Sequence, residues 1–446
     1  MMGGRGKALI VAIAIAIAIA SALAPAPSVS AADSLPAGSA PANLWSPVSA
    51  ESGTAPTPAG MRRQIGRLAD SNTLRRSGVI VVDPGSERVL FDKEGTRPLI
   101  PASTVKILTA AAALETLGAD SRLVTEVARQ GDVIYLIGGG DATLPRSLDS
   151  DSLPDGPASL RRLARETATA LGTRNRVQVV YDDSLFSGPG LGPGWPKGFP
   201  AAGVAAPVSA LMIDQGRRSP SARARVADPA RKAAEVFATL LEKRGVKVGR
   251  VSRGVAPTTA TQVAQVESAT ITQMVQRMLT DSDNDVAESL GHLVGASVLG
   301  DGSFAGGAQA TTQILSQAGI DVEGMRLVDA SGLSGRNKLA PATIADVLVD
   351  VVRAERWAPI VQGLAVAGVT GTLADRFATK ATRAGRGVVR AKTGTLTGVG
   401  SLAGTVIDDG GRPLVFVVVG NGVRSQARAR DTMDRLASRV SECGCR

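Results

Sequence analysis

Ser103 and Lys106 stand three residues apart in the run Pro101-Ala102-Ser103-Thr104-Val105-Lys106-Ile107-Leu108, which continues rich in alanine to Leu114. At that spacing on a helix the two side chains share one face, about a turn apart. A serine hydroxyl is a poor nucleophile at its own pKa and needs a base beside it. A lysine can be that base where apolar surroundings disfavour its charged form. A serine at a helix start also has free backbone N–H groups and the positive dipole end aimed at any oxyanion formed there. A pattern this short also arises by chance, so other residues must support it.

Two further patches carry short polar groups. In Thr280-Asp281-Ser282-Asp283-Asn284-Asp285-Val286-Ala287-Glu288 the polar residues precede an apolar-periodic run. They read either as an ordinary helix N-cap or as a functional helix start, with Ser282 relaying a proton and Asn284 offering its amide to a substrate carbonyl. In Val389-Arg390-Ala391-Lys392-Thr393-Gly394-Thr395-Leu396, residues Lys392, Thr393 and Thr395 alternate along an expected edge strand. Gly394 there permits close backbone approach. Such a strand can bind an extended peptide by β-augmentation, with Lys392 anchoring a carboxylate.

These patches need a scaffold. A short helix is expected from Met61 to about Ser71, then two strands, Gly78–Asp83 and Arg88–Asp92, joined by Pro84-Gly85-Ser86-Glu87. The Ser103 helix should stop near Gly118. After Lys392 come strand signals at Gly400–Ile407 and Leu414–Val419, and a helix from about Ser425 to Ser441. The two early strands and three late ones predict a five-stranded antiparallel sheet flanked by helices, an α/β (α+β) domain built from residues 61–120 and 271–446.

Residues 121–270 read as an inserted domain. Strand signals at Val133–Ile137 and Val177–Tyr181 alternate with helix signals at Ala158–Leu171 and Ala230–Leu241, between loops rich in glycine and proline. Gly138-Gly139-Gly140 is followed by Ala142-Thr143-Leu144-Pro145 where a dinucleotide fingerprint requires a helix, so a tight loop is the better account.

At 446 residues and 44% hydrophobic content, the chain is long enough for two or three domains with a sizeable core. Residues 1–32 have the three regions of a secretory signal: Arg5 and Lys7, an Ala/Ile/Val run to Leu23, and small residues ending at Ala31-Ala32. Export to the cell envelope is therefore expected. An uncleaved membrane anchor is the alternative, although Ala8–Leu23 falls short of the about 20 residues of a spanning helix. Residues 33–60 read as a Pro/Ala/Ser-rich linker.

The net charge of +10 forms no dense block, and with 3% aromatic residues a nucleic-acid partner is not expected. A single histidine, His292, rules out a multi-histidine metal site. No metal or cofactor is implied. The two cysteines, Cys443 and Cys445, form a tight disulfide ring, pair between chains, or are a dispensable feature of the tail.

Ser-x-x-Lys, Ser-Asp-Asn and Lys-Thr-Gly occur here in that order, on a helix start, a helix-start loop and a C-terminal strand. As a set they resemble the class A β-lactamases and penicillin-binding proteins. Within these, the chain looks like the exported D-alanyl-D-alanine carboxypeptidase/endopeptidase family, the low-molecular-mass class C type. Gly138–Leu144, Tyr181–Phe186, Ala206–Leu211, Asp329–Ser334 and Ala367–Leu373 extend the resemblance over about residues 75–425. The long insertion between Ser103 and Ser282 separates this family from simple β-lactamases. It looks shorter than in the largest members, which points to one inserted domain.

The resemblance implies a serine β-lactamase/transpeptidase-like fold and acyl-enzyme chemistry on peptidoglycan peptides ending in D-Ala-D-Ala, with covalent inhibition by β-lactams. Ser103 would attack the penultimate carbonyl and Lys106 take its proton. Ser282 would help pass a proton to the leaving D-Ala, Lys392 would hold the terminal carboxylate, and the backbone N–H groups of Ser103 and Thr395 would form the oxyanion hole. Asp329–Ser334 reads as a structural loop near the site. A Ser-His-Asp hydrolase is disfavoured by the single histidine and the lack of a G-x-S-x-G elbow. Two rivals stay open: a β-lactamase, which needs a second positioned carboxylate that no motif locates, and a non-catalytic cell-wall peptide-binding module.

Overall fold

The computed structural model describes residues 55–148, 158–172, 176–354 and 356–445. The expected export signal at 1–32 and most of the expected linker at 33–60 lie outside the described residues. Pro58 and the Thr57 hydroxyl, which accepts from Gly60 N–H, start α1 (Pro58–Ala69). The hairpin β1 (Arg76–Asp83) and β2 (Arg88–Lys93) follows. A 3₁₀ turn, Ala102–Val105, carries Ser103 into α2 (Lys106–Leu117), which ends at Gly118 as the spacing predicts.

Next come β3 (Arg122–Gln130), β4 (Val133–Ile137), α3 (Leu160–Leu171), β5 (Arg176–Asp182), α4 (Phe199–Ala202), α5 (Pro229–Glu242), β6 (Lys247–Arg253) and β7 (Thr261–Thr270). Four helices follow: α6 (Ile271–Asp281), α7 (Asn284–Leu299), α8 (Phe304–Gln317) and α9 (Pro341–Ala354). The short α10 (Pro359–Gly363) leads to β8 (Ala365–Val366), β9 (Val389–Leu396), β10 (Val399–Ile407), β11 (Pro413–Asn421) and α11 (Gln426–Ser441).

The first sheet has the order β2-β1-β11-β10-β9-β8 and is antiparallel throughout. It contains the five strands read from the sequence plus β8, whose two residues are too few to carry an alternating pattern. Nearly every residue of β10 and β11 is buried. Both faces of the sheet are covered, α1 and α11 packing on one and α9 with the 3₁₀ turn Ala102–Val105 on the other. That double cover explains the unbroken apolar run Leu414–Val419. Because β8 pairs only with Arg390 and Ala391, the edge of β9 from Lys392 to Leu396 has no neighbouring strand among the described residues.

Residues 122–270 form a second sheet in the order β6-β5-β4-β3-β7, with β4, β5 and β6 parallel and β3 antiparallel to β4 and β7. Its core lies against α3 and α5. Strands β3, β6 and β7 escape a reading by pattern because most of their side chains are polar and only partly covered. At the C-terminus Cys443 and Cys445 are joined to each other, the tight ring among the alternatives. Cys443 is buried beneath α1, and the Cys445 carbonyl accepts from Thr57 N–H at 3.0 Å.

Candidate active site

The backbone at the nucleophile is tightly enclosed. Ala102 adopts φ +50°, a left-handed conformation that costs about 1–3 kcal/mol and persists only where packing enforces it. A Cβ on Gly332 (φ +81°) would lie 2.0 Å from the Ala102 carbonyl oxygen. One on Gly394 would lie 2.1 Å from Ser401 Oγ and 3.0 Å from Ser103 N. Gly394 thus provides the close approach expected of it, and Ser401 Oγ ties the turn to β10 by donating to the Pro101 carbonyl at 2.7 Å.

Lys106 is fully buried. Its Nζ donates to Ser103 Oγ at 3.1 Å, to Asn284 Oδ1 at 2.8 Å and to the Ser331 carbonyl at 2.6 Å. Burial lowers its pKa from the ordinary 10.5 to about 8, against the opposing pull of Glu288, Asp329, Asp283 and Asp285. An ammonium would place its three protons on these acceptors. A neutral amine keeps two of the bonds and accepts the Ser103 proton with the lone pair.

At the second motif the helix N-cap read from the sequence is present, and the next residue faces the base beside the nucleophile. Asp283 is the N-cap of α7 and accepts from Val286 N–H at 3.1 Å, while Asn284 faces the site. One N–H of the Asn284 amide goes to the Val204 carbonyl at 2.9 Å, which leaves the other for a substrate carbonyl. Ser282 ends α6 with φ +60° and is partly exposed, and among the described residues its hydroxyl makes no hydrogen bond. The segment 204–225 clamps the motif. Asp283 accepts from Gln215 Nε2 at 2.5 Å, and Asp285 accepts from Ala206 N–H at 2.7 Å and from Arg225 Nη2 at 2.8 Å.

Lys392, expected to anchor a substrate carboxylate, is fully buried, and its Nζ donates to the Thr393 carbonyl at 2.9 Å. Burial, and then the like charge of Lys106, push its pKa well below the lysine range. Lys392 shares a pleat face with Gly394, whose Cβ would lie 3.0 Å from Ser103 N, so its stem lies on the nucleophile's side of the sheet. Thr395 is the exposed member of the motif, and Thr393 Oγ1 donates to Thr372 Oγ1 at 2.9 Å.

Reading by motif misses the loop 329–334 as a contact of the base and misses Glu288 altogether. Asp329 anchors the loop by accepting from Trp195 Nε1, Gly332 N–H, Ser334 N–H and Asn337 Nδ2 at 2.6–2.9 Å. Glu288 is a carboxyl within an apolar helical run, one turn past Asn284, and that placement was the available signal. His292 is a core residue between Phe186 and Phe304, its Nδ1 2.8 Å from the Glu288 carbonyl.

A sheet edge, a helix start and a clamped turn thus converge on a serine whose base is an amine, which defines a serine peptidase of the Ser-Lys class. The family model described as D-Ala-D-Ala carboxypeptidase 3 (S13) matches residues 63–225 and 218–442, and the chain belongs to that family.

A carboxypeptidase of Mycobacterium tuberculosis is 36% identical over 408 residues, 89% of this chain and 87% of that protein. A D-alanyl-D-alanine carboxypeptidase of Actinomadura sp. is 31% identical over 455 residues, covering 82% and 81%. In fold, the chain is similar to the crystal structure of penicillin binding protein 4 from Haemophilus influenzae, with TM-score 0.70, 22% identity, and 84% and 97% of the two chains covered. That protein has also been solved in complex with a β-lactam.

Proposed function

We propose that this protein is an exported serine D-Ala-D-Ala carboxypeptidase/endopeptidase that cleaves peptidoglycan stem peptides through an acyl-enzyme on Ser103. The observation that carries the reading is the 3.1 Å bond between the fully buried Lys106 amine and Ser103 Oγ. Neutral Lys106 takes the hydroxyl proton as Ser103 Oγ attacks the penultimate carbonyl. The backbone N–H groups of Ser103 and Thr395 hold the oxyanion, each donor contributing on the order of 3 kcal/mol. The proton passes by way of Ser282 to the nitrogen of the departing D-Ala as the peptide bond breaks. Water then attacks the Ser103 ester and releases the shortened peptide. The substrate lies along the open edge of β9, its carboxylate held by the exposed Thr395 hydroxyl and by Lys392, which shares the pleat face turned to Ser103.

Residues 121–270 serve as the inserted domain whose segment 204–225 holds the second motif, and residues 1–32 direct export. Amino-terminal sequencing of the protein recovered from the cell envelope tests the last point, a start after Ala31 or Ala32 being expected.

Benzylpenicillin followed by intact mass tests the chemistry. A stable adduct, lost in Ser103→Ala, is expected, together with D-Ala release from a synthetic stem peptide. Rapid return to the unmodified mass is the β-lactamase outcome, and no adduct is the outcome for a binding module. Glu288 argues against the lactamase, because this second carboxyl is bonded to the N–H groups of residues 330 and 331.

A further inference from the structure

Glu288 takes no part in the acylation steps above, yet it is 1% exposed and lies directly behind the base. Its Oε1 accepts from Ser331 N–H at 2.8 Å and its Oε2 from Ala330 N–H at 3.2 Å. Ser331 is the residue whose carbonyl receives Lys106 Nζ at 2.6 Å. Carboxyl and amine are therefore bonded to the same residue, the first through the Ser331 N–H and the second through the Ser331 carbonyl.

We infer that Glu288 is a positioning residue for this reaction: by accepting from the N–H groups of residues 330 and 331 it holds the Ser331 carbonyl against Lys106, and its carboxylate is the counter-charge behind the Lys106 ammonium.

Asp329 accepts from four N–H groups, which fill its lone-pair positions. Glu288 accepts from two backbone N–H groups, and a hydrogen bond from the Ser331 side chain favours its anion against the burial that opposes it. Burial, and then the negative charge of Asp329, raise its pKa far above the carboxylate range. The other ionisable groups are Asp283, Asp285 and His292 on its own helix and Lys392 on β9, the last pressing on Lys106 by like charge.

The inference rests on Lys106 being the base. Glu288→Gln tests it, since glutamine has the shape of the acid form and cannot become an anion. Deprived of that counter-charge, the Lys106 ammonium is less stable, so the acid limb of penicillin acylation moves to lower pH by on the order of one unit. Below the wild-type limb the variant should then acylate about tenfold faster than wild type. A purely structural role would slow acylation at every pH and leave the limb in place, and that result overturns the proposal.

If Glu288→Gln does not fold, Glu288→Asp carries the test. It draws the charge back by one methylene and should move the limb the same way by less, and an unmoved limb is again decisive against the idea. Lys106→Ala run in parallel separates the two readings. Undiminished labelling there removes Lys106 as base, whereas an unmoved limb in the Glu288 variants removes only the inference about Glu288.

Discussion

Lys106 Nζ lies 2.6 Å from the Ser331 carbonyl oxygen, closer than its 3.1 Å to Ser103 Oγ, so the loop behind the base holds it more tightly than the nucleophile in front. A carbonyl can only accept. It therefore fixes one N–H of the amine in every protonation state and leaves the lone pair turned to the serine.

Acylation should rise with pH through an apparent pKa near 8, because the active form of Lys106 is the neutral amine, which predominates above that value. Stopped-flow acylation by a chromogenic β-lactam, measured from pH 6 to about 10, reads the limb directly. Lys106→Ala should lower the plateau by about 10²–10⁴-fold. A profile flat across pH 8 would remove the amine from the role of base.

Gly332→Ala should reduce acylation by about 10²-fold, through displacement of the nucleophile rather than loss of any reacting group. The new Cβ would meet the Ala102 carbonyl at 2.0 Å, and φ +81° penalises any L side chain there. Penicillin labelling rates alongside Tm check this, with a wild-type rate counting against the enclosed geometry at Ser103.

The five long strands of the first sheet and the three motifs were legible in the sequence, because alternation and short polar groups at helix starts are local signals. Ser331 was not, because its contribution is a backbone carbonyl, which leaves no mark on side-chain identity. The full burial of Lys392 was not legible for a related reason: it depends on the turn at Ser103 packing against β9, a contact between distant parts of the chain. The clamp on residues 283–285 depends on segment 204–225, 60–80 residues away along the chain, and no local pattern announces it.

Arg225→Ala should cost about 3–5 kcal/mol, since it strands the buried Asp285 carboxylate. Burial pushes that pKa up to about 6 even with the guanidinium opposing it. Asp285→Asn in the same chain should recover part of the loss. Urea unfolding of the single and double variants gives the coupling, and strictly additive costs would show that the pair does not act as a unit.

His292 should make the protein acid-labile. Burial holds its pKa near 4, below the ordinary 6.5, so the unfolded chain binds more protons across that interval. Stability is therefore lost as pH falls from 6.5 towards 4, by up to about 1.4 kcal/mol per pH unit. His292→Phe should flatten this part of the stability curve in thermal melts, and an unchanged slope would assign the acid lability to other groups.

The brevity of β8 has a consequence for the protein outside its reaction. Stopping after Val366, it leaves β9 beyond Ala391 with no strand on that side among the described residues, the feature by which sheets of separate molecules recruit one another. Exposed Thr395 and Thr397 make that margin hydrophilic without closing it. Whatever lengthened β8 by a few residues would guard against self-association and shut the substrate out in the same stroke.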